Sequence, residues 1–273
     1  MDEQNPAIHC MLLLKERSSL PDSERVAARL QEIIGCGCQL TWDAPAASED
    51  GIHAQNYYFE GFPVLVCLTP MPIPWAELEG PCAENDLWPE ATDVCRQHQA
   101  HLVIGLLGEP DPIPGHLMLT HFAAAMAMEA GALAVYWGNG GVVQPTELFC
   151  RLAADAWPES LPLMLWVSFH KFMYDGAPFV ATQGLDAFGL MEVEGGSAAL
   201  PPKQLLAHVF DIAHYLCVQG PVLKDGDTVG SNAQERFPVK YLPSVVDQSR
   251  NAIRILFDEP QKPRGLFSRL WKH

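Results

Sequence analysis

Short apolar runs alternate with helical patterns along the first half of the chain. Residues 62–68 and 101–107 are almost continuously apolar, which predicts buried strands. Residues 26–34 instead place their apolar side chains at helical spacing, so they predict a helix capped by Asp22 or Ser23. This alternation favours helices packed against a sheet.

Two longer helices are predicted further along the chain. Residues 114–130 are apolar on nearly every side, which predicts a central, buried helix that ends at Gly131. Residues 201–219 have an amphipathic pattern and predict a helix with one buried face. Between these helices, residues 163–174 and 177–182 predict a hairpin that turns at the intervening Asp-Gly pair.

Together these elements predict an α+β fold, with a mixed sheet flanked by helices. We expect either a single globule or two tightly packed lobes. The lobes would be an acidic α/β lobe over residues 1–158 and an α+β lobe over residues 159–259 packed on it. A basic C-terminal tail, residues 260–273, would follow, and its role is open.

Charge is distributed very unevenly over these elements. Residues 30–150 contain fifteen acidic side chains and a single basic one, Arg96, so this block carries −14 of the net charge of −16. The block also contains apolar runs, so it can fold, and its carboxylates must then lie mostly on its surface. The sequence therefore predicts a folded region with a strongly negative face.

The densest carboxylates follow the strand predicted at residues 62–68. Three prolines at alternate positions predict an irregular segment there, and a helix is predicted from about residue 89 to 99. Asp86, Glu90 and Asp93 have the spacing of one outward helix stripe. The residues predicted to face inward are Leu87, Ala91, Val94, Cys95 and His98.

This acidic segment is the candidate partner-binding site. A face of one sign is what electrostatic steering of a basic partner requires, whereas a surface that serves solubility alone usually intersperses both signs. Solubility alone is the competing interpretation. The residues that we expect to contribute are Glu77, Glu79, Glu84, Asp86, Glu90 and Asp93.

Histidine and cysteine patterns do not indicate a metal site. Cys36 and Cys38 could join His53 as ligands, but their spacing fits no common zinc motif, so packed thiols are favoured. His116 and His121 are five residues apart and do not share a helix face, as a zinc pair would. The sequence therefore implies neither a metal nor a cofactor.

Two glycine-containing motifs have ordinary explanations as turns. The loop 138–141 follows a predicted strand but lacks the lysine of a P-loop. Asp225 and Asp227 flank a glycine, which suits a hairpin turn as well as a cation-binding turn. A pocket near Asp225, Asp227 and Glu194 is the alternative site for a hydrolase or nucleotide-binding enzyme.

Composition and charge also exclude some partners. The acidic pI argues against nucleic acid and anionic membrane as ligands. The longest apolar stretch, residues 117–137, contains polar residues and predicts a buried helix followed by a strand rather than a membrane span. The start of the chain lacks the pattern of a secretory signal, so we expect a cytoplasmic protein with reduced thiols.

Three stretches in the second half resemble a known family. Residues 161–167, 182–194 and 225–230 are similar, in order, to the bacterial domain of unknown function 4261 family, and the resemblance covers roughly residues 100–257. It implies a bacterial source. It implies no catalytic residues and therefore no mechanism.

These observations favour a non-enzymatic bacterial immunity protein. It would bind and neutralise a basic toxin domain, a nuclease for example, delivered by interbacterial secretion such as type VI secretion. The alternatives are the enzyme with a pocket near Asp225 and an adaptor or chaperone of a secretion system. A toxin gene beside this gene would favour immunity, a metabolic operon would favour the enzyme, and a secretion spike gene would favour the adaptor.

Overall fold

The computed structural model describes residues 8–16, 19–35, 37–47, 53–230 and 236–258. The chain divides into two compact units, Met1–Ser168 and Phe169–His273, which we call the N-terminal and C-terminal units. Helices and strands are both abundant, so the predicted α+β fold is confirmed. The lobes expected over residues 1–158 and 159–259 stay a prediction, and the basic tail at 260–273 lies outside the described residues.

The N-terminal unit contains an antiparallel sheet with helices on both faces. Its described strands are β1 (Ile8–Leu14), β2 (Leu40–Trp42), β3 (Ala46–Ala47), β4 (His53–Phe59), β5 (Phe62–Thr69), β6 (Ala100–Leu106), β7 (Ala134–Trp137) and β8 (Val142–Pro145). Their order is β2-β4-β5-β6-β1-β7-β8, with β3 beside β4. Its described helices are α1 (Ser23–Ile34), α2 (Trp75–Ala83), α3 (Ala91–Cys95), α4 (Pro112–Ala130), α5 (Thr146–Ala154) and α6 (Leu163–Trp166).

Strand β1 shows how the two faces of this sheet are covered. Since side chains alternate along a strand, Leu12 and Leu13 point to opposite faces, and both are completely buried. Leu13 packs in a cluster with residues of α2 and α3. The other face carries α4, whose Phe122 ring lies 5.2 Å from the ring of Tyr57. The sheet is therefore the middle layer of this unit.

Helix α4 confirms the prediction of a central helix. Most of its residues are buried, and it ends at Gly131, which has a left-handed conformation with φ 60°. Strand β7 follows it, as the pattern of residues 117–137 indicates. No helix in the described ranges is long and apolar enough to cross a membrane.

The C-terminal unit contains a mixed sheet and one long helix among its described residues. Its strands are β9 (Ser168–Tyr174), β10 (Ala177–Gln183), β11 (Val193–Gly196), β12 (Thr228–Val229), β13 (Phe237–Pro243) and β14 (Asn251–Leu256), in the order β12-β13-β14-β11-β10-β9. Strands β11 and β14 run parallel, whereas β14 and β13 run antiparallel. The helix is α7 (Pro202–Gln219), which confirms the amphipathic prediction, and the hairpin turns at Asp175-Gly176 as predicted.

Three local predictions are wrong. Residues 75–83 form α2 where the prolines predicted irregular structure, because Pro74 lies at the N-cap, where a missing N–H costs no helical hydrogen bond. The helix expected from about residue 89 to 99 is only the five-residue α3, and Leu87, expected to face inward, is 59% exposed. Residues 163–166 form α6 rather than part of the hairpin.

Candidate partner-binding surface

The six predicted carboxylates lie together on the segment from α2 to α3, residues 75–95, which we call the α2–α3 segment. Two lie in α2, two in the turns that follow and two at or in α3, and all six are exposed. We call them the acidic surface. Its members are Glu77, Glu79, Glu84, Asp86, Glu90 and Asp93.

The arrangement of these carboxylates differs from the prediction in one respect. Asp86 was expected to share a helix stripe with Glu90 and Asp93, but it lies in a turn before α3, and Glu90 is the N-cap of that helix. The prediction that these three residues share one helix face is therefore wrong. The prediction that all three side chains are exposed is confirmed, and they lie on one short segment.

A buried layer holds the α2–α3 segment against the sheet. Leu78 and Cys82 from α2, and Ala91 and Cys95 from α3, are at most 4% exposed and pack in the same cluster as Leu13. This layer fixes the backbone beneath the exposed carboxylates, because tightly packed side chains leave little room for movement.

Asn85 fixes the turn between the two helices. Its Nδ2 donates to the carbonyl oxygen of Val143 in β8 at 2.6 Å. Its Oδ1 accepts hydrogen bonds from the backbone N–H groups of Leu87 and Trp88, both at 3.1 Å. The turn that carries Asp86 is thus bonded to the sheet and to itself.

Two histidines after α3 hold the backbone before α2. The Nε2 atom of His98 accepts a hydrogen bond from the N–H of Ile73 at 2.8 Å, so its ring proton is on Nδ1, beside the carbonyl oxygen of Cys95. His101 Nδ1 lies 2.7 Å from the carbonyl oxygen of Met71, to which it donates. Burial lowers the pKa of His101, which favours its neutral form.

Basic side chains are distributed unevenly around the acidic block. Arg25 and Arg29 of α1 both pair with Glu129 of α4, at 2.9 and 3.2 Å. The guanidinium of Arg96, beside α3, instead stacks over the ring of Trp75 with its carbon 4.0 Å from the ring centroid. The carboxylates near α1 therefore have basic partners of their own.

Four of the six carboxylates of the acidic surface lack such pairing in the described part of the chain. There, no lysine or arginine forms an ion pair with Glu77, Glu79, Glu90 or Asp93. Four like charges on one short segment repel one another, and Coulomb repulsion between exposed groups is screened only beyond about 8–10 Å. A basic partner would relieve this repulsion.

The carboxylates of the alternative enzyme site bind backbone and side-chain donors. Asp227 Oδ2 accepts from the N–H of Lys224 at 2.8 Å, and Asp225 Oδ1 accepts from the N–H of Tyr241 at 2.9 Å. Gly226 between them has φ +87°, which glycine adopts readily. These bonds are those of a stabilised turn, the ordinary interpretation of the motif.

Glu194, the third residue of that site, is buried in β11. Its Oε1 accepts from Arg254 Nε at 2.9 Å, and its Oε2 accepts from Ser244 Oγ and from the N–H of Val245, both at 3.1 Å. The side chain is 1% exposed, so this carboxylate neutralises a neighbouring guanidinium and fixes a turn. Its oxygens are occupied by these donors.

Sequence reasoning missed a second glutamate in this unit. Glu192 Oε1 accepts from the N–H groups of Gly184 and Leu185 at 2.8 and 3.0 Å, and its Oε2 accepts from Thr182 Oγ1 at 2.6 Å. Burial raises the pKa of Glu192, and these hydrogen bonds oppose that rise. These hydrogen bonds of Glu192 close the loop between β10 and β11. The feature of the sequence that could have indicated this role is a glutamate directly before a buried strand.

The glycine-rich loop and the two α4 histidines have structural roles. A Cβ atom on Gly138 would overlap Nε2 of His9, so close packing explains that glycine. His121 Nε2 lies 2.9 Å from the carbonyl oxygen of Ala156. Among the described residues, no three His, Cys, Asp or Glu side chains are placed to hold a metal ion, and Cys36 lies outside them.

The comparison with known families identifies part of the C-terminal unit. Residues 181–256 match a domain of unknown function (DUF4261). This confirms the resemblance over those residues, which include Glu192, Glu194 and the Asp225–Asp227 turn. The acidic surface lies outside the matched stretch. No curated protein and no solved structure gave a significant match.

Proposed function

We propose that this protein is a non-enzymatic immunity protein whose acidic surface binds and neutralises a basic toxin domain. The observation that supports this most directly is the acidic surface itself: six exposed carboxylates on one fixed segment, with Arg96 as the one nearby basic residue in residues 30–150. Such a surface attracts a positively charged protein and orients it before contact.

A nuclease domain is the toxin class that this chemistry fits best. A nuclease must present a positive surface to the phosphates of its substrate. An acidic protein of complementary charge can cover that surface, and the strongly negative N-terminal unit would itself repel nucleic acid. The source we propose is a bacterial cytosol, where the toxin would arrive through interbacterial secretion such as type VI secretion.

Rigidity of the segment supports binding rather than solubility alone. The packing of Leu78 and Cys82 and the hydrogen bonds of Asn85 hold the backbone that carries the carboxylates in place before a partner arrives. A preorganised surface loses less conformational entropy on association than a mobile one. A surface that serves only solubility binds no partner, so a fixed backbone gives it no such advantage.

The test is association with the toxin domain encoded beside this gene. One variant replaces Asp86, Glu90 and Asp93 by the corresponding amides. A control variant makes the same charge change at Glu147, Asp155 and Glu159, which are exposed on and after α5. The first variant should associate at least about 10-fold more slowly at low salt and show a shallower salt dependence.

The control variant separates a local effect from a general one. It should retain most of the wild-type association rate, because α5 packs against α4, on the face of the sheet opposite to α2 and α3. Equal slowing in both variants would mean that net charge alone matters. An unchanged rate and salt slope in the first variant would leave the acidic surface as a solubilising surface.

A further inference from the structure

Helices α2 and α3 cover only part of the sheet face on which they lie. Their buried cluster includes Leu13, Tyr136 and Val143, which belong to β1, β7 and β8. On β4, β5 and β6, side chains alternate between the two faces, and those on the face of α4 are mostly buried. Those on the face of α2 and α3 are partly or fully exposed. We call this part of the sheet, on β4 to β6, the open sheet face.

An apolar row of side chains crosses the open sheet face. Cys67 of β5 lies opposite Val103 of β6 and opposite Ala54 of β4. Val103 is also opposite Met11 of β1, which packs against the cluster beneath α2 and α3. Opposed side chains in an antiparallel pair have Cβ atoms about 4.5–5.5 Å apart. These four side chains therefore form a continuous row that runs from β4 to the border of the covered part.

Gly105 leaves space in a neighbouring row. It lies opposite Leu65 of β5, and a Cβ atom added to it would meet nothing within 4 Å. The four neighbouring strands β4, β5, β6 and β1 span about 14 Å, because adjacent strands lie about 4.8 Å apart. A helix with its side chains is about 10–12 Å across. The open sheet face is therefore wide enough for one helix, with room above Gly105.

Negative charge borders this apolar area on two sides. Beside β4, Asp43 Oδ2 accepts a hydrogen bond from Tyr58 Oη at 3.1 Å, and Tyr58 is an exposed residue of this face. Beside β6, His101 Nδ1 binds the carbonyl oxygen of Met71 at 2.7 Å, and α2, which carries Glu77, begins four residues later. Strands β1, β4, β5 and β6 contain no lysine or arginine. A partner of this area must therefore combine an apolar surface with positive charge beside it.

We propose that the open sheet face binds an amphipathic helix of a basic protein partner. The apolar side of that helix would lie on Leu65, Cys67 and Val103, and burial of apolar surface supplies the affinity. Lysine or arginine side chains along its edges would reach Asp43 on one side and Glu77 on the other, and these charges set its orientation. This deepens the proposed function, and only the identification of the partner with a toxin domain rests on that function.

A model peptide tests the site without the toxin. The probe is a fluorescently labelled helix of about 18 leucine and lysine residues, with all leucines on one side. A second peptide has the same composition in an order that gives a helix no apolar side, so its charge is identical. At physiological salt the protein should bind the first peptide at least about 10-fold more tightly than the second, measured by fluorescence anisotropy. Equal affinities would overturn the proposal, because charge alone would then explain the binding.

The variant Gly105→Gln locates that binding. The new side chain fills the space above the open sheet face, and the unbound fold has room for it. Affinity for the first peptide should therefore fall at least about 10-fold. The matched control, Ala154→Gln, adds a side chain of the same kind at an exposed position of α5, on the opposite face of the sheet, and should bind as the wild type does. If Gly105→Gln unfolds in urea like the wild type yet binds the peptide with wild-type affinity, the proposal is wrong.

Two half-buried free thiols give a footprint on the unmodified protein. Cys67 lies on the open sheet face, whereas Cys38 lies before β2, outside it. The first peptide should slow the alkylation of Cys67 by N-ethylmaleimide and leave the rate at Cys38 unchanged. Protection of neither thiol, or equal protection of both, would overturn the proposal. This measurement remains decisive if Gly105→Gln fails to fold.

The toxin domain encoded beside this gene separates this site from the proposed function. Gly105→Gln should dissociate from that domain at least about 10-fold faster and associate at nearly the wild-type rate, because the substitution changes no charge. An unchanged dissociation rate would overturn the assignment of the toxin to this face and leave steering by the acidic surface standing. If the charge variants leave association with the toxin unchanged, the proposed function is overturned, and the peptide and footprint results still decide the helix site.

Discussion

Acidification should destabilise the N-terminal unit through His116. This histidine lies in α4 and is completely buried, with its ring 5.8 Å from the ring of Trp137 and 5.4 Å from that of Trp166. Its Nδ1 lies 2.7 Å from the carbonyl oxygen of Pro112, to which it donates. Burial lowers the pKa of His116 to about 4, and this hydrogen bond only partly opposes that effect.

The size of the effect follows from the difference between the folded and unfolded states. An unfolded histidine has a pKa of about 6.5, so the difference is about 2.5 units, or about 3 kcal/mol at about 1.4 kcal/mol per unit. Above pH 6.5 neither state is protonated and nothing is lost. As the pH falls from 6.5 towards 4, the unfolded state binds the proton first, so stability falls. His101 and His121 also have lowered pKa values and act in the same direction.

Urea unfolding between pH 7.5 and 4.5 measures this loss. His116→Asn keeps an N–H that can reach the backbone but does not titrate, so its free energy of unfolding should fall less steeply with decreasing pH than that of the wild type. Equal slopes for wild type and His116→Asn would refute the reasoning that burial keeps His116 neutral.

Two predictions concern the C-terminal unit. Glu194→Ala should reduce its free energy of unfolding by about 3–5 kcal/mol, because Arg254, whose side chain is 15% exposed, would lose its buried partner. The double variant Glu194→Met, Arg254→Leu should recover much of that loss in urea unfolding, and a single-variant loss below about 1 kcal/mol would contradict the argument. Asp227→Asn should cost about 1 kcal/mol by weakening the bond from Lys224 N–H. Calorimetry with calcium, magnesium or manganese would contradict this structural role if a metal raised the wild-type midpoint but not that of the variant.

Periodicity predicted the long elements because many residues contribute to each pattern. Helix α4 and helix α7 lie within two residues of their expected bounds. The predictions of short elements were wrong where a single residue type decided the interpretation. Prolines before residue 75 suggested irregular structure, yet a proline at or before the N-cap does not prevent a helix, and the burial of Leu78 stabilises α2.

The exposure of the acidic surface could be predicted, but what lies beneath it could not. Charge density alone indicated that carboxylates such as Glu77 and Asp93 face solvent. Cys82 and Cys95 belong to one buried cluster because α2 packs beside α3, and no spacing rule for a single element predicts that packing. The same holds for Glu192, whose donors lie on the loop before it.

Two groups of carboxylates in this protein have different roles. In the residues that match the known family, Glu192 and Glu194 accept hydrogen bonds from groups of the same chain and hold loops in place. Their charges therefore stabilise the fold. On the acidic surface, outside that match, Glu77, Glu79, Glu90 and Asp93 face solvent and form no ion pair within the described residues. Repulsion between these like charges destabilises the unbound protein, and attraction of a basic partner would explain why the charges are present. Recognition of a partner is therefore expected from the N-terminal unit, and amide substitutions there should alter binding with little loss of stability.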